Sequence, residues 1–209
     1  MTGRLPHESP VIYIYADESC LGNGREGDNP GAAGGLIQTF LTATDPPVQR
    51  DYWISERATT NNRMALRSAI EAFDILSRKG RSLDACFTSD SNYLVLGMTQ
   101  WTFDWVRRGW KRKGGALENL ELWQELLDVA SAHRHRWRWV KGHASHPQNE
   151  YANFLATRAA KELTESDGAV ASGFDTWLAA HRARGRMRRE SDDRPDVSLF
   201  NPGCTLRGD

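Results

Sequence analysis

The sequence predicts an α/β domain, and three observations carry that expectation. Three β-branched and aromatic runs follow one another near the start, helical patterns take over from residue 60, and two short apolar runs lie between those helices. Val11 to Ala16 reads as the first strand, with Asp17 where it ends, and Glu18 to Gly31 reads as an irregular loop rich in Gly, Asn and Asp. Ala33 to Phe40 and Gln49 to Ile54 are two more strands around the Asp45-Pro46-Pro47 turn, and three strands in series favour an antiparallel meander. Thr60 or Asn61 can cap a helix that runs to about Lys79, with Leu66, Ile70, Phe73 and Leu76 at helical spacing and Gly80 closing it. Ala85 to Thr88 is a brief buried strand, and Asp90 follows its end before a helical stretch from Asn92. Leu120 to Ala132 is an amphipathic helix, Trp137 to Lys141 a last strand, and Asn149 to Leu163 a helix.

A chain of 209 residues suits one domain, here residues 1–165, with an Arg-rich C-terminal extension over 166–209. Phe174 to Arg188 reads as one helix of that extension, and Glu190 to Asp209, polar and punctuated by Pro and Gly, reads as disordered. Lys+Arg and Asp+Glu both number 27, so any case for a nucleic-acid partner must come from local clusters. Cys20, Cys86 and Cys204 form an odd set without CxxC spacing, which suggests neither a disulfide framework nor a zinc site. No apolar run approaches the ~20 residues of a membrane helix. The expectation is a soluble, cytoplasmic monomer with no membrane partner.

Asp17 and Asp90 occupy equivalent positions at the ends of two strands. Carboxylates gathered at a sheet edge suit hard cations such as Mg2+, which prefer oxygen ligands, although aspartate at a strand end more often only starts a turn. Their neighbours decide between the two. Asp17-Glu18-Ser19-Cys20-Leu21-Gly22-Asn23, Thr59-Thr60-Asn61-Asn62-Arg63-Met64, Thr88-Ser89-Asp90-Ser91-Asn92-Tyr93 and Trp139-Val140-Lys141-Gly142-His143-Ala144-Ser145-His146-Pro147 stand in one order at compatible spacing. Together they resemble the type 1 ribonucleases H, from about Val11 to Leu163.

This resemblance implies a ribonuclease H-like fold: a mixed five-stranded sheet, meander plus parallel strands, flanked by helices and bearing a basic helical handle. It implies endonucleolytic hydrolysis of the RNA strand of RNA/DNA hybrids with two Mg2+ ions, for which Mn2+ can substitute. The family's metal site takes one Asp on the first strand, a Glu on the first helix, an Asp after the fourth strand and an Asp on the last helix. Asp17 and Asp90 match the first and third. Ala65 stands at the position of the Glu and Asn153 at the position of the last Asp, so the four matched carboxylates fall to two. Asn153 keeps a neutral carbonyl oxygen as a weak ligand; Ala65 offers none. Glu18 is adjacent to Asp17, but successive side chains of a strand point to opposite faces, which argues against it as a substitute. The expectation is weakened metal binding and a catalytically impaired chain that still binds the hybrid. One truncation and one near-isosteric swap in otherwise intact motifs read as engineered inactivation, with a natural noncatalytic hybrid-binding module as the alternative.

His143 matches the family's mobile histidine near the scissile phosphate, where a charge that changes near neutrality is useful; His146 reads as structural. Cys20, Asn23, Thr60, Asn61, Asn62 and Asn92 match positions that line the hybrid's minor groove, where amides can pair with ribose 2'-hydroxyls. Asn92 stands where many members carry Gln. The segment from Trp101 to Lys113 interleaves tryptophans with cations and resembles the handle that grips the DNA strand, with Trp101, Trp105, Arg108 and Lys111 as contacts. Trp105 and Trp110 are expected to be partly packed, and Trp123, Trp137 and Trp139 to lie in the core.

Overall fold

The fold comes from a computed structural model that describes residues 10–22, 29–41, 45–111, 114–142 and 146–187. The strands are β1 (Val11–Cys20), β2 (Gly31–Phe40), β3 (Val48–Glu56), β4 (Asp84–Ser89), β5 (Arg134–Trp139) and β6 (Val170–Ala171), in the sheet order β5-β4-β1-β2-β3-β6. The meander β1-β2-β3 is antiparallel, and β4 and β5 run parallel to β1. The sheet is mixed as expected, with one strand more: β6 comes from beyond residue 165 and pairs with Arg50 and Asp51 of β3.

Alternation along β1 divides the core in two. Ile12, Ile14 and Ala16 pack with Leu66, Ala69, Ile70 and Phe73 of α1 (Asn61–Ser77) and with Trp123 and Leu126 of α4 (Leu120–Ser131). Val11, Tyr13 and Tyr15 face the other way, onto Tyr151 and Leu155 of α5 (Pro147–Glu162) and Phe174 of α6 (Phe174–Ala183). Period-two side-chain direction thus sends odd residues of β1 to the α5 side and even residues to the α1 side. Thr60 caps α1 by accepting the Arg63 N–H, and Gly80 beyond its end has φ +66, a left-handed conformation suited to glycine.

After β4 the chain forms α2 (Asn92–Leu96), a single π-helical turn (Gly97–Trp101) and α3 (Thr102–Arg107). The root of this arm is aromatic. Trp101 lies 6.0 Å from Tyr93, and Trp105 lies 5.5 Å from the buried Trp123, whose Nε1 donates to the Tyr93 hydroxyl at 2.9 Å. A β-carbon at position 97 would collide with the Trp123 ring, so the close approach of arm and α4 requires glycine.

One expectation needs correction here. Trp139 is not core: it is 42% exposed, because it ends β5 at the sheet's rim, and its Nε1 donates to the Asp90 carbonyl at 2.9 Å. The residues just past 165 are bound to the sheet. Ser166 N–H donates to the Trp53 carbonyl, the Trp53 N–H donates to Ser166 Oγ, and the Gly173 N–H donates to buried Asp51. The helix expected to reach Arg188 ends at Ala183, and residues 188–209 lie outside the described residues.

Candidate active site

Asp17, Glu18 and Asp90 come together where β1 outruns its neighbour. The parallel pairing of β1 with β4 stops at Ala16 and Ser89, while β1 continues along β2 as far as Cys20. The sheet edge beyond Ala16 is therefore open, and ligand oxygens of the three carboxylates lie within 4.8 Å of one another. Asp17 is 5% exposed and belongs to the odd, α5-facing series. Its Oδ1 accepts the Glu18 N–H at 2.7 Å, and its Oδ2 accepts the side-chain amides of Asn149 at 3.1 Å and Asn153 at 3.2 Å, both from α5.

Glu18 corrects the sequence-based expectation. Alternation along β1 argues against it as a ligand, yet its carboxylate lies with those of Asp17 and Asp90. The alternation holds, but it sends Glu18 to the even, α1-facing side, where Ala16 and Ala65 share one packing cluster. Ala65 is 1% exposed on that side, and the glutamate that the family carries on the first helix would start from there. Glu18 thus brings a carboxylate in from the side on which Ala65 lacks one. Four residues of β1 project past the end of β4, so the strand's two faces open onto one cleft.

The electrostatics are those of a crowded anion cluster. Burial first, and then the charge of Asp90, push the Asp17 carboxyl up to about 7; the Asn153 amide and the Glu18 N–H pull the other way. Glu18 stands well above the usual carboxylate range through burial and the charges of Asp17 and Asp90. Carboxyls that resist ionisation together fit a hard divalent cation, which supplies the missing opposite charge.

The surrounding backbone fixes Asp90. Trp139 holds its carbonyl, and Gly142 passes so close that a β-carbon there would meet the Asp90 carboxylate. Asn153, expected as an oxygen ligand, here gives its amide N–H to Asp17, while its Oδ1 accepts from Thr157 at 3.2 Å. Asn149 was not singled out from the sequence. It is 2% exposed, and the signal for it was its place one helical turn before Asn153 on the buried face of α5. His146 caps α5 through Nδ1, which accepts the Asn149 N–H at 3.4 Å. His143 lies outside the described residues.

Of the expected nucleic-acid contacts, Cys20, Thr60, Asn61 and Asn62 stand on the α1 side of the cleft, and Cys20 Sγ and Thr59 crowd the backbone of Gly31. Burial and the charges of Glu18 and Glu56 push the Cys20 thiol up to about 11, so it stays protonated. Asn92 is exposed at the start of α2. Trp101 and Trp105 are half-buried at the root of the arm, and Trp110 packs against Trp105. Arg108 and Lys111 are exposed at the arm's tip, where Arg108 lies 3.8 Å from Asp104. Asn23, Arg112 and Lys113 lie outside the described residues.

Comparison with known proteins gives this arrangement a context. The family model for RNase H matches residues 9–161. Ribonuclease H of Methylococcus capsulatus is 39% identical over 165 residues, spanning 78% of this chain and 97% of that protein, and Ribonuclease H of Pseudomonas entomophila is 37% identical over 157 residues, spanning 74% and 97%. The crystal structure of LC9-RNase H1, described as a type 1 RNase H with the type 2 active-site motif, is 51% identical with a TM-score of 0.85 over 97% of this chain and 96% of that one. LC11-RNase H1, solved in complex with RNA/DNA hybrid, is 16% identical with a TM-score of 0.52 over 73% and 98% of the two chains, a likeness of fold alone. With its mixed sheet, its acidic rim and these relatives, the chain belongs to the RNase H family.

Proposed function

We propose that this chain is an active hybrid ribonuclease that cuts the RNA strand of RNA/DNA duplexes with two divalent ions, Mg2+ or Mn2+, held by Asp17, Glu18 and Asp90 with Asn153 as a neutral fourth ligand. One observation carries the reading: Glu18 lies with Asp17 and Asp90 in a cluster whose ligand atoms are within 4.8 Å. It departs from the expectation of impairment, which rested on Asp17 and Asp90 and did not count Glu18. The likeness to LC9-RNase H1 supports a natural active-site variant over an engineered lesion.

The charges favour the same reading. Three carboxylates against two divalent cations leave one positive charge, which the scissile phosphate can neutralise, so substrate and metals complete each other. When bound, the metal pair supplies an activated water and neutralises the leaving oxygen. Asp17 binds from the α5 side and Glu18 from the α1 side. Asn149 keeps the Asp17 carboxylate aimed by donating to Oδ2, and Trp139 holds the backbone of Asp90. Asn153 must turn its amide to offer oxygen, giving up its bonds to Asp17 and Thr157. Thr60, Asn61, Asn62, Cys20 and Asn92 line the RNA side of the cleft, the arm with Trp101, Trp105, Arg108 and Lys111 takes the DNA strand, and His143 serves proton transfer or product departure.

Cleavage of a labelled hybrid in Mg2+ and in Mn2+ tests the proposal. The natural chain should turn over, Glu18→Gln should be silent, and a Glu18→Ala/Ala65→Glu double variant should recover part of the rate by returning the carboxylate through α1. A Glu18→Gln protein as fast as the parent refutes the assignment.

A further inference from the structure

Beyond the metal cluster, α5 and α6 enclose a groove of about 470 Å3 whose near end is Asn153 itself. Its lining on α5 falls at positions 150, 153, 154, 157, 158, 161 and 162, one face of the helix some 16 Å long at ~1.5 Å per residue. The far wall is Trp177 and His181 of α6, whose rings stack at 4.0 Å. This wall is a fixed part of the fold, since Phe174 is buried and Gly173 is tied to Asp51 and Tyr151.

The chemistry changes along the stripe. Glu150 and Asn153 stand at the metal end, while Arg158 and Lys161 lie further along α5 with Glu162 beside them. Phe154 is 42% exposed on the floor between the two ends, and the Arg158 guanidinium is held over Trp53 at 4.8 Å and beside Phe154 at 5.7 Å. Cations beside exposed aromatic surface suit a single nucleic-acid strand, with phosphates on the cations and bases against the rings. The volume lies in the range of small-ligand clefts and is too small for a duplex. At ~3.4 Å per stacked nucleotide the stripe accepts about four.

We propose that the groove between α5 and α6 binds single-stranded RNA continuing past the scissile site, so that the protein prefers hybrids whose RNA strand overhangs on one side. The inference rests on the assignment of the metal cluster as the point of cleavage, and it extends the substrate from a duplex to a duplex with an RNA tail. The overhang enters beside Asn153 and runs toward Lys161.

The test compares blunt hybrids with hybrids carrying a four-nucleotide RNA overhang at the 5' or the 3' side, or the same overhang as DNA. Binding is followed by fluorescence anisotropy in EDTA across a salt series. The natural chain should bind one RNA-overhang polarity about tenfold more tightly than the blunt hybrid, with a log–log salt slope steeper by one to two, at ~0.7 per contacted phosphate in a single strand. Arg158→Glu/Lys161→Glu should lose that gain while blunt-hybrid binding and cleavage stay within twofold. Lys161→Glu alone, which leaves the Arg158–Trp53 contact in place, should lose about half of the slope increase and guards against a folding defect in the double variant. No gain from either polarity, or a gain that survives both variants, overturns the inference. Such a result with blunt hybrids still cleaved leaves the proposed function standing, whereas failure to cleave any hybrid defeats that reading first.

Discussion

Replacing Asp17 by Asn should abolish cleavage and yet make the metal-free protein more stable at alkaline pH. In the fold, burial and Asp90 lift the Asp17 carboxyl from 3.8 to about 7. A raised acid pKa means that the folded protein holds a proton which the unfolded chain has already shed between those values. The metal-free fold therefore loses stability as pH climbs through that window, and the full penalty is present above it. Three units correspond to about 4 kcal/mol. Against this, asparagine has one oxygen where Asp17 uses two, one for the Glu18 N–H and one for the amides of Asn149 and Asn153, so at least one hydrogen bond worth about 1 kcal/mol is lost. The net gain of Asp17→Asn at pH 8 in EDTA is then about 2–3 kcal/mol, or roughly 4–12 °C in Tm at ~2–4 °C per kcal/mol for a chain of this size. At pH 4 the gain should vanish or reverse. Saturating Mg2+ should narrow the gap at pH 8 by stabilising only the parent. Thermal melts of both proteins at pH 4 to 8, with and without Mg2+, measure each term. A variant no more stable than the parent at pH 8, or a gap independent of pH, refutes the electrostatic account of the cluster.

Other perturbations separate positioning from stability. Gly142→Ala puts a methyl against the Asp90 carboxylate; kcat should fall roughly ten- to hundredfold, as for a ~1 Å misplacement, with little change in Tm. Asn149→Ala removes a buried donor from Asp17 and should cost about 2 kcal/mol in urea unfolding at pH 8. A smaller loss at pH 5, where Asp17 is protonated, would confirm that the amide serves the charge. Tyr151→Phe takes a 2.6 Å hydrogen bond from Asp51, which is 3% exposed and whose other oxygen has no partner among the described residues. The expected cost is about 2–3 kcal/mol, with faster amide exchange in residues 166–173 than in α1.

Much of this fold was legible because its elements are locally consistent. β1 alternates two apolar faces, α1 has its Thr60 cap and Gly80 stop, and the order of motifs fixed where the carboxylates of Asp17 and Asp90 would meet. Trp139 was misjudged because burial depends on where a strand ends against its neighbours, and β5 stops at the rim. The pairing of residues 170 and 171 with β3 was illegible for a related reason. A two-residue strand has no period, and what holds it is the buried Asp51 some 120 positions earlier, whose partners Tyr151 and Gly173 only tertiary structure reveals.

The misreading of Glu18 has a different origin, since its premise was sound. Neighbouring residues on a strand do face opposite ways, and the pairing of β1 with β2 stays regular through Asp17 and Glu18. The error lay in treating a metal site as the property of one face. At the open end of the sheet the two faces of β1 meet, so carboxylates from either face could reach one cation, and the resemblance already implied ligands on helices from both sides. A carboxylate lost from α1 can then be supplied by the β1 position that looks toward α1, and only an even-numbered residue past Ala16 does so. Position 18 satisfies both conditions, whereas a glutamate at 19 would start on the α5 side, where Asn149 and Asn153 already crowd Asp17. The geometry of the strand end therefore leaves positions 18 and 20 as the places on β1 from which a carboxylate could be supplied on the α1 side, and this chain carries a glutamate at the first of them.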